Sequence, residues 1–379
     1  MVSLFNGILI ISTALYFVTL LLFFIGLFFP NRRRTGKQYS VSVVVAARNE
    51  EQNIGNLLSD LTRQTYPAEQ YEIIVVDDGS VDATHDIGMS FSKEYPNVKI
   101  IDAVPDPDQT LVAKKNAIHQ GIIASGGEII LMTDADCRVK SQWIETMVSY
   151  FTPETGMVVG FSQLGTKNDH RPLFEKLQAT DFLALLAGAQ GSINLNFPLA
   201  ATGQNLAYRK SAYLQVDGFK DIGHRVSGDD VLLLQLIHNR TDWEIRFAPD
   251  EASFNTSLPE ENLKDLINQR KRWASNGSYQ LKLNKKFFVI VVNTFLINLL
   301  ILISLPFIFT KNTIFSTLLC CMSYKLLIEF IILVKGAFIY HRTDLIKYFP
   351  VWAILQIPYI IFVGALGNIG RFVWKGRRN

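Results

Sequence analysis

Cysteine is nearly missing: three occur in 379 residues, Cys137 and the adjacent pair Cys320 and Cys321. Thiols so placed make neither a disulfide framework nor a zinc spacing, and all three fit reducing surroundings. A strong charge of either sign is missing too. The formal net charge is +3, from 37 basic and 34 acidic residues, and the basic side chains gather beside apolar runs and around 270–272. Without a broad basic stripe, nucleic acid is not the expected partner. Charge is absent altogether from residues 8–29, "ILIISTALYFVTLLLFFIGLFF", a run long enough to span a bilayer. Nothing basic precedes it and no small-residue cleavage site ends it, so a retained anchor is expected rather than a removed signal peptide. The "NRRRTGK" that follows sets orientation by the positive-inside rule. The expectation is an integral protein of the inner or plasma membrane with its next domain in the cytosol.

What is abundant is apolar: 49% of residues are hydrophobic and the mean hydropathy is +0.18, above an ordinary soluble domain. Further apolar runs cover 287–309, 313–334 and 349–367. The middle one holds Lys325 and Glu329 one helical turn apart, and either charge alone would cost roughly 2.5–3.5 kcal/mol at a bilayer centre. Mutual pairing is expected. Three crossings after a cytosolic domain would put the basic tail "RFVWKGRRN" outside, against the positive-inside rule. Either the last run, interrupted by Pro358 and Gly364, is a re-entrant hairpin, or the charged middle run does not cross. The organisation expected is an anchor at 1–30, a cytosolic domain at 40–280 ending in an interfacial amphipathic helix, and a membrane region at 285–379.

Between these lies an alternation of β-branched runs and helical patterns, the sign of a layered α/β domain with a mainly parallel sheet. Strands are expected at 41–47, 71–78, 98–104 and 127–133, and helices at 50–64, at 80–95 with Ser80 as cap, and at 110–125. In such sheets ligands gather beyond the carboxyl ends of the strands. Three strands end there in polar clusters: Arg48-Asn49-Glu50, Asp77-Asp78-Gly79-Ser80 and Asp134-Ala135-Asp136. Each alone reads as ordinary turn chemistry. Together they crowd carboxylates that repel unless a cation or donor groups neutralise them. A hard cation, Mg2+ or Mn2+, fits an Asp-x-Asp turn facing a diphosphate.

Five ordered stretches now carry a resemblance: "VSVVVAARNEEQNIGNLLSDLTRQTYP", "EIIVVDDGSVDAT", "GEIILMTDADC", "GDDVLLLQLI" (228–237) and "QRKRW" (269–273). Together they resemble the family 2 glycosyltransferases, in the membrane-bound branch of polysaccharide synthases and ceramide glucosyltransferases. The resemblance covers about residues 40–280 and implies the GT-A fold, a Rossmann-like mixed sheet with helices on both faces, here with transmembrane helices at both ends.

It also implies roles. Glu50, Asp77 and Asp78 correspond to the nucleoside-binding turns, where carboxylates accept from base or ribose. Lys114 or Lys115 would meet the diphosphate, and Asp134 and Asp136 would hold the metal. By motif position Asp230 is the general base that takes the acceptor's proton, with Asp229 as its neighbour at the start of a helix. The Gly203-Gln204-Asn205 turn would line the acceptor side. In "NLKDLINQRKRWASNG", Leu263, Leu266 and Ile267 suit an interfacial helix, and Trp273 suits an interfacial anchor or a sugar platform. The motif favours closure of the active site by Gln269, Arg272 and Trp273. The implied reaction is inverting transfer from a nucleotide sugar, with UDP favoured, to a lipid or growing glycan. The enzymatic alternative is a nucleotidyltransferase, which would release pyrophosphate; the other is an inactive membrane scaffold.

Overall fold

The structure is a computed structural model describing residues 2–29, 34–108, 110–307, 312–369, 373–374 and 377–378. Arg32 and Arg33 of the orienting cluster, and residues 371, 372, 375, 376 and 379 of the basic tail, lie outside the described residues. In chain order the elements are α1 (Val2–Gly26), β1 (Val41–Ala47), α2 (Ile54–Leu61), β2 (Tyr71–Asp77), α3 (Thr84–Glu94), β3 (Val98–Asp102), α4 (Lys114–Ala124) and β4 (Ile129–Met132). There follow β5 (Arg138–Val139), α5 (Trp143–Ser149), β6 (Thr155–Gly160), β7 (Ser162–Leu164), α6 (Leu173–Asn194), β8 (Leu206–Arg209), α7 (Lys210–Gln215), α8 (Val231–Arg240), β9 (Glu244–Ala248) and β10 (Asn255–Ser257). The chain continues with α9 (Leu263–Ala274), α10 (Gln280–Leu283), α11 (Lys285–Ser304), α12 (Asn312–Ile339) and α13 (Phe349–Ile369).

Seven strands form one sheet in the order β3-β2-β1-β4-β8-β6-β9. Its pairs are parallel except those of β8, which runs against β4 and β6. The β-branched β1 is buried along almost its whole length, as a central strand covered on both faces must be. Ile54, Leu57, Leu58 and Leu61 recur at helical spacing and lay α2 on one face. On the opposite face the core runs without a break from Val44 and Ile74 through Phe182 and Leu186 of α6 to Leu9, Ile297, Ile328 and Trp352 of the apolar helices. The sheet and the membrane region thus share one core.

Helix starts differ from the sequence reading. Ser80 does not cap α3, which opens at Thr84, because its hydroxyl bonds Asp77 and accepts from Asn49 N at 3.0 Å. That hydroxyl ties the β1 turn to the β2 turn. Helix α4 starts at Lys114 rather than 110, since Ala113 takes φ +50°, where an L residue cannot continue a right-handed helix.

Four helical segments, Ser3–Gly26, Lys285–Phe307, Thr313–Ile339 and Thr343–Gly367, are long and apolar enough to cross a membrane. Lys325 Nζ meets both oxygens of Glu329 at 2.7 and 2.9 Å and donates to Gln356 Oε1 at 2.9 Å. Tyr16 of α1 donates to the same Glu329 at 2.6 Å, so the expected pair also joins α1, α12 and α13. At the C-terminal end of α1 the backbones touch. A Cβ on Gly26 would fall 2.1 Å from the Gly191 carbonyl oxygen, and one on Gly191 2.0 Å from that of Phe23, a small-residue contact.

The last apolar run is one uninterrupted helix through Pro358, so it is not a hairpin within 349–369. It lies beside α9. Near its start Trp352 Nε1 donates to Asp181 Oδ1 at 3.2 Å, and Asp181 Oδ2 sits 3.2 Å from Arg270 of α9. Near its end Gly367 rests on Ala274, where a Cβ would approach the Ala274 side chain to 2.5 Å.

Candidate active site

The carboxyl ends of β1, β2 and β4 open on a cleft of about 410 Å³. Arg48 and Glu50 follow β1, Asp78 follows β2, and Asp134, Ala135 and Asp136 follow β4. Lys114 enters from the first turn of α4, Thr202, Gly203 and Gln204 from the loop before β8, and Gln269, Arg272 and Trp273 from α9. Ten residues singled out in the sequence therefore share one space: Glu50, Asp78, Lys114, Asp134, Asp136, Gly203, Gln204, Gln269, Arg272 and Trp273. A second hollow of about 340 Å³ shares Arg48 and Asp78 and continues along Ala103, Pro105, Leu111 and Asn116.

Other candidates stand behind the wall. Asp77 is buried and its carboxylate bonds Ser80. Lys115 is a correction: its Nζ donates to the carbonyls of Arg225 at 2.6 Å and Ser227 at 2.8 Å and is not in the cleft. Adjacent helix residues point about 100° apart, so one lysine of the pair faces the cleft and the other the core. Asn205 is the second correction. Its amide donates to the carbonyls of Phe161 and Ser253, both at 2.8 Å, and accepts from Trp143 Nε1 at 3.0 Å. It is consumed in joining β6, β8 and α5. Asp229 and Asp230 lie just beyond the lining, against Gly203: Asp230 Oδ2 accepts from Gly203 N at 3.0 Å, and its Oδ1 from Val231 N at 2.6 Å as the cap of α8.

Sequence reasoning placed Arg48 in its strand-end cluster without giving it a role, and missed Glu260, Asp265 and Asn268 as wall residues. The signal was present for two of them, since 265, 268, 269 and 272 recur at helical spacing and mark one polar face of α9. Glu260 accepts from Gln269 Nε2 at 2.7 Å, and burial and Asp265 raise its pKa.

The charges form a relay of unlike signs. Lys114 Nζ is 2.5 Å from Asp134 and 3.4 Å from Asp229 Oδ2. Burial disfavours its charge, yet Asp134 and Asp229 outweigh burial and hold the ammonium above the ordinary lysine range. Burial likewise opposes the charge on Asp229, but Lys114, Lys115 and Arg272 keep its pKa low. Asp230 goes the other way: burial and the Asp229 charge raise it against the Val231 and Gly203 amides. Adjacent carboxylates pushed apart in pKa are an arrangement that acid–base chemistry can use. Lys115, buried, is pulled down to about 8. Asp229 Oδ2 is buried and accepts no hydrogen bond, and Gly203 leaves it room, since a Cβ there would stand 3.3 Å away.

Asp134 and Asp136 offer hard oxygen donors from one turn. Among the described residues no group of three or more His, Cys, Asp or Glu is placed to hold a metal ion. The pair fits a divalent ion whose other positions are filled by phosphate oxygens and water, the manner in which Mg2+ is held.

Residues 42–207 match the description "Glycosyl transferase family 2" and residues 129–365 match "Glycosyl transferase family group 2". The chain is 30% identical to "Glycosyltransferase AglE" of Haloferax volcanii over 50% of this chain and 59% of that protein. It is 30% identical to "Probable glycosyltransferase YdaM" of Bacillus subtilis over 68% and 60% of the two. Against "Beta-monoglucosyldiacylglycerol synthase" of Nostoc sp. the identity is 29% over 62% and 48%. The chain thus spans about half to three-fifths of these relatives' own length. In fold it is similar to a mannosyltransferase of Pyrobaculum calidifontis solved with GDP-Man and Mn2+, with a TM-score of 0.60, 16% identity, and 96% and 99% of the two chains covered.

Proposed function

The chain belongs to family 2 of the glycosyltransferases, and from that premise we propose that it transfers a sugar with inversion from a nucleotide sugar, UDP-linked, to a lipid or growing glycan at the cytosolic membrane face. The relatives support both acceptor classes: one is named for a glucosylated diacylglycerol, another, from Staphylococcus epidermidis, as "Poly-beta-1,6-N-acetyl-D-glucosamine synthase".

One observation carries the mechanism. Asp230, its pKa raised, abuts the cleft wall at Gly203, while Lys114 from the first turn of α4 and the Asp134-Ala135-Asp136 turn after β4 line the same cleft. In this reading the nucleoside lies along Glu50 and Asp78 and the hollow beyond Arg48, with Asp77 behind them holding the turn through Ser80. The acceptor hydroxyl oxygen bonds to the anomeric carbon as the bond from that carbon to the phosphate oxygen breaks, and its proton passes to Asp230. Lys114 and Arg272 stabilise the departing diphosphate electrostatically, and Asp229 holds Lys114 and raises its neighbour. Gln269 fixes Glu260 at the cleft edge, and Trp273 offers the acceptor an aromatic face. Mg2+ or Mn2+, when bound by Asp134 and Asp136, would neutralise charge on the diphosphate. Lys115 positions the 225–227 loop and touches no substrate.

The test is incubation of vesicles containing the full chain with a panel of UDP- and GDP-sugars, followed by mass analysis of lipid and polymer. Release of nucleoside diphosphate with one added sugar mass or a ladder is expected. Release of pyrophosphate would replace transfer by nucleotidyl chemistry.

A further inference from the structure

The cleft has a neighbour on its apolar side. A hollow of about 590 Å³ lies between the first turns of α11, the far half of α13 and the turn after α9. Phe287, Phe288, Val291, Val292 and Phe295 wall one side, at the i, i+1, i+4, i+5, i+8 spacing of a single helix face. Gly364 and Ala365 stand opposite, and Gly364 lies close against the Phe295 ring, where a Cβ would come within 2.8 Å. Its polar groups sit together in the 273–280 stretch: Trp273, Asn276, Ser278 and Gln280.

Two contacts make it continuous with the reaction site. Trp273 lines both spaces. Val231, the residue after Asp230, lines the hollow, and Asn276 beside it donates to Ser227 Oγ at 3.1 Å. A molecule with one polar end and one long apolar end matches this path, polar end at Trp273 and apolar end along α11. A polysaccharide does not, because its hydroxyls would lie unpaired against phenylalanine and valine.

We infer that this groove seats the hydrocarbon chain of a membrane-lipid acceptor and delivers its hydroxyl-bearing head group to Asp230. The inference rests on the transferase reading and narrows its acceptor to a lipid. Burial of the chain holds the acceptor in place, so the groove acts on acceptor affinity and leaves the donor site alone.

The test uses the full chain in vesicles of total bacterial lipid with tritiated UDP-glucose, UDP-N-acetylglucosamine and GDP-mannose. Val292→Trp and Ala365→Trp fill the groove; Ile354→Trp, on α13 outside the groove and 70% exposed, is the control. Label in the organic phase should fall at least tenfold in the groove variants, with donor hydrolysis to water within twofold of the parent and the control unchanged. Equal lipid labelling by groove variants and parent, or label confined to water-soluble glycan, overturns the groove with the transferase reading intact. Should the parent consume none of the donors, the transferase reading falls, and photolabelling by a diazirine-bearing hexadecyl phosphate decides the groove. Labelling concentrated on 287–295 and lost in Val292→Trp supports it. Labelling spread evenly over the apolar helices overturns it.

Discussion

Asp230 does two things that can be separated. Its carboxylate caps α8 through Val231 N, and in the proposed reaction it takes a proton. Asn keeps the cap on Val231 N but turns an NH2 donor toward Gly203 N, so Asp230→Asn should lower the thermal midpoint only modestly while nucleoside diphosphate release falls by about 10²–10⁴-fold, the worth of a positioned general base. An unaltered rate would remove Asp230 from the mechanism. Its pH behaviour has a sign. The raised pKa, from burial and then the Asp229 charge, places the acid limb of kcat/KM above the ordinary aspartate range, with activity rising as the proton leaves. Asp229→Asn deletes the neighbouring negative charge, so the limb should move to lower pH; movement upward would contradict the assignment. At this scale the sequence was legible where a residue's type sets its role, as in the Asp134-Ala135-Asp136 turn. It was silent where role depends on direction. Lys114 and Lys115 are indistinguishable as letters, and only the start of α4 at Ala113 decides which one faces the cleft. Asn205 looked like a polar turn residue because no letter records that all its hydrogen-bonding capacity is spent inside.

Helix α9 carries the polar face of the cleft, and one buried ion pair holds it. Arg270 meets Asp181 of α6 at 3.2 Å and stacks 4.2 Å from the Trp273 ring centroid, while Trp352 of α13 donates to the same carboxylate. Breaking such a pair strands a buried charge, at about 3–5 kcal/mol. Asp181→Ala should therefore lower the unfolding midpoint markedly, and kcat with it, because Arg272 and Trp273 ride on the same helix. The double variant Asp181→Leu/Arg270→Met removes both charges and should regain most of the stability. If the double variant melts no higher than the single one, the pair is not what fixes α9. The interfacial reading of this helix from Leu263, Leu266 and Ile267 captured its amphipathic character and missed its anchor, since Asp181 lies 89 positions earlier in sequence and nothing local announces the pairing. Helix boundaries failed for a related reason: Ser80 could cap a helix or bind Asp77, and the neighbouring strand end decided.

Across the whole molecule, the position of α13 bears on the orientation puzzle set by the basic tail. A 21-residue helix is about 31 Å long, so a transverse α13 would hold its ends on opposite sides of a bilayer. Instead Trp352 reaches the carboxylate that Arg270 grips, and Gly367 rests on Ala274, four residues further along α9. Near both of its ends α13 therefore keeps contact with α9 or with the carboxylate that α9 grips. With α1, α11 and α12 as the crossings, the tail should share a side with the sheet domain, as the positive-inside rule asks. A membrane-impermeant maleimide should modify Asn379→Cys and the exposed domain variant Arg63→Cys in the same vesicle orientation; reaction in opposite orientations would restore four crossings. The alternating α/β pattern was readable over the sheet because buried strands and amphipathic helices have distinct periods. The apolar runs were readable only as runs, because hydropathy reports what a helix tolerates and not which way it lies.

The backbone contact between Gly26 and Gly191 has a consequence for reach. With no side chain between them, α1 and α6 meet backbone to backbone, and the sheet packs on α6 through a shared core. That contact ties the proposed reaction site to α1, as the jaw of a gauge is tied to its frame, and so bears on the height at which the site stands over a lipid surface. In the proposed reaction, acceptors whose reactive group stands at that height should be preferred to those that stop short or overshoot.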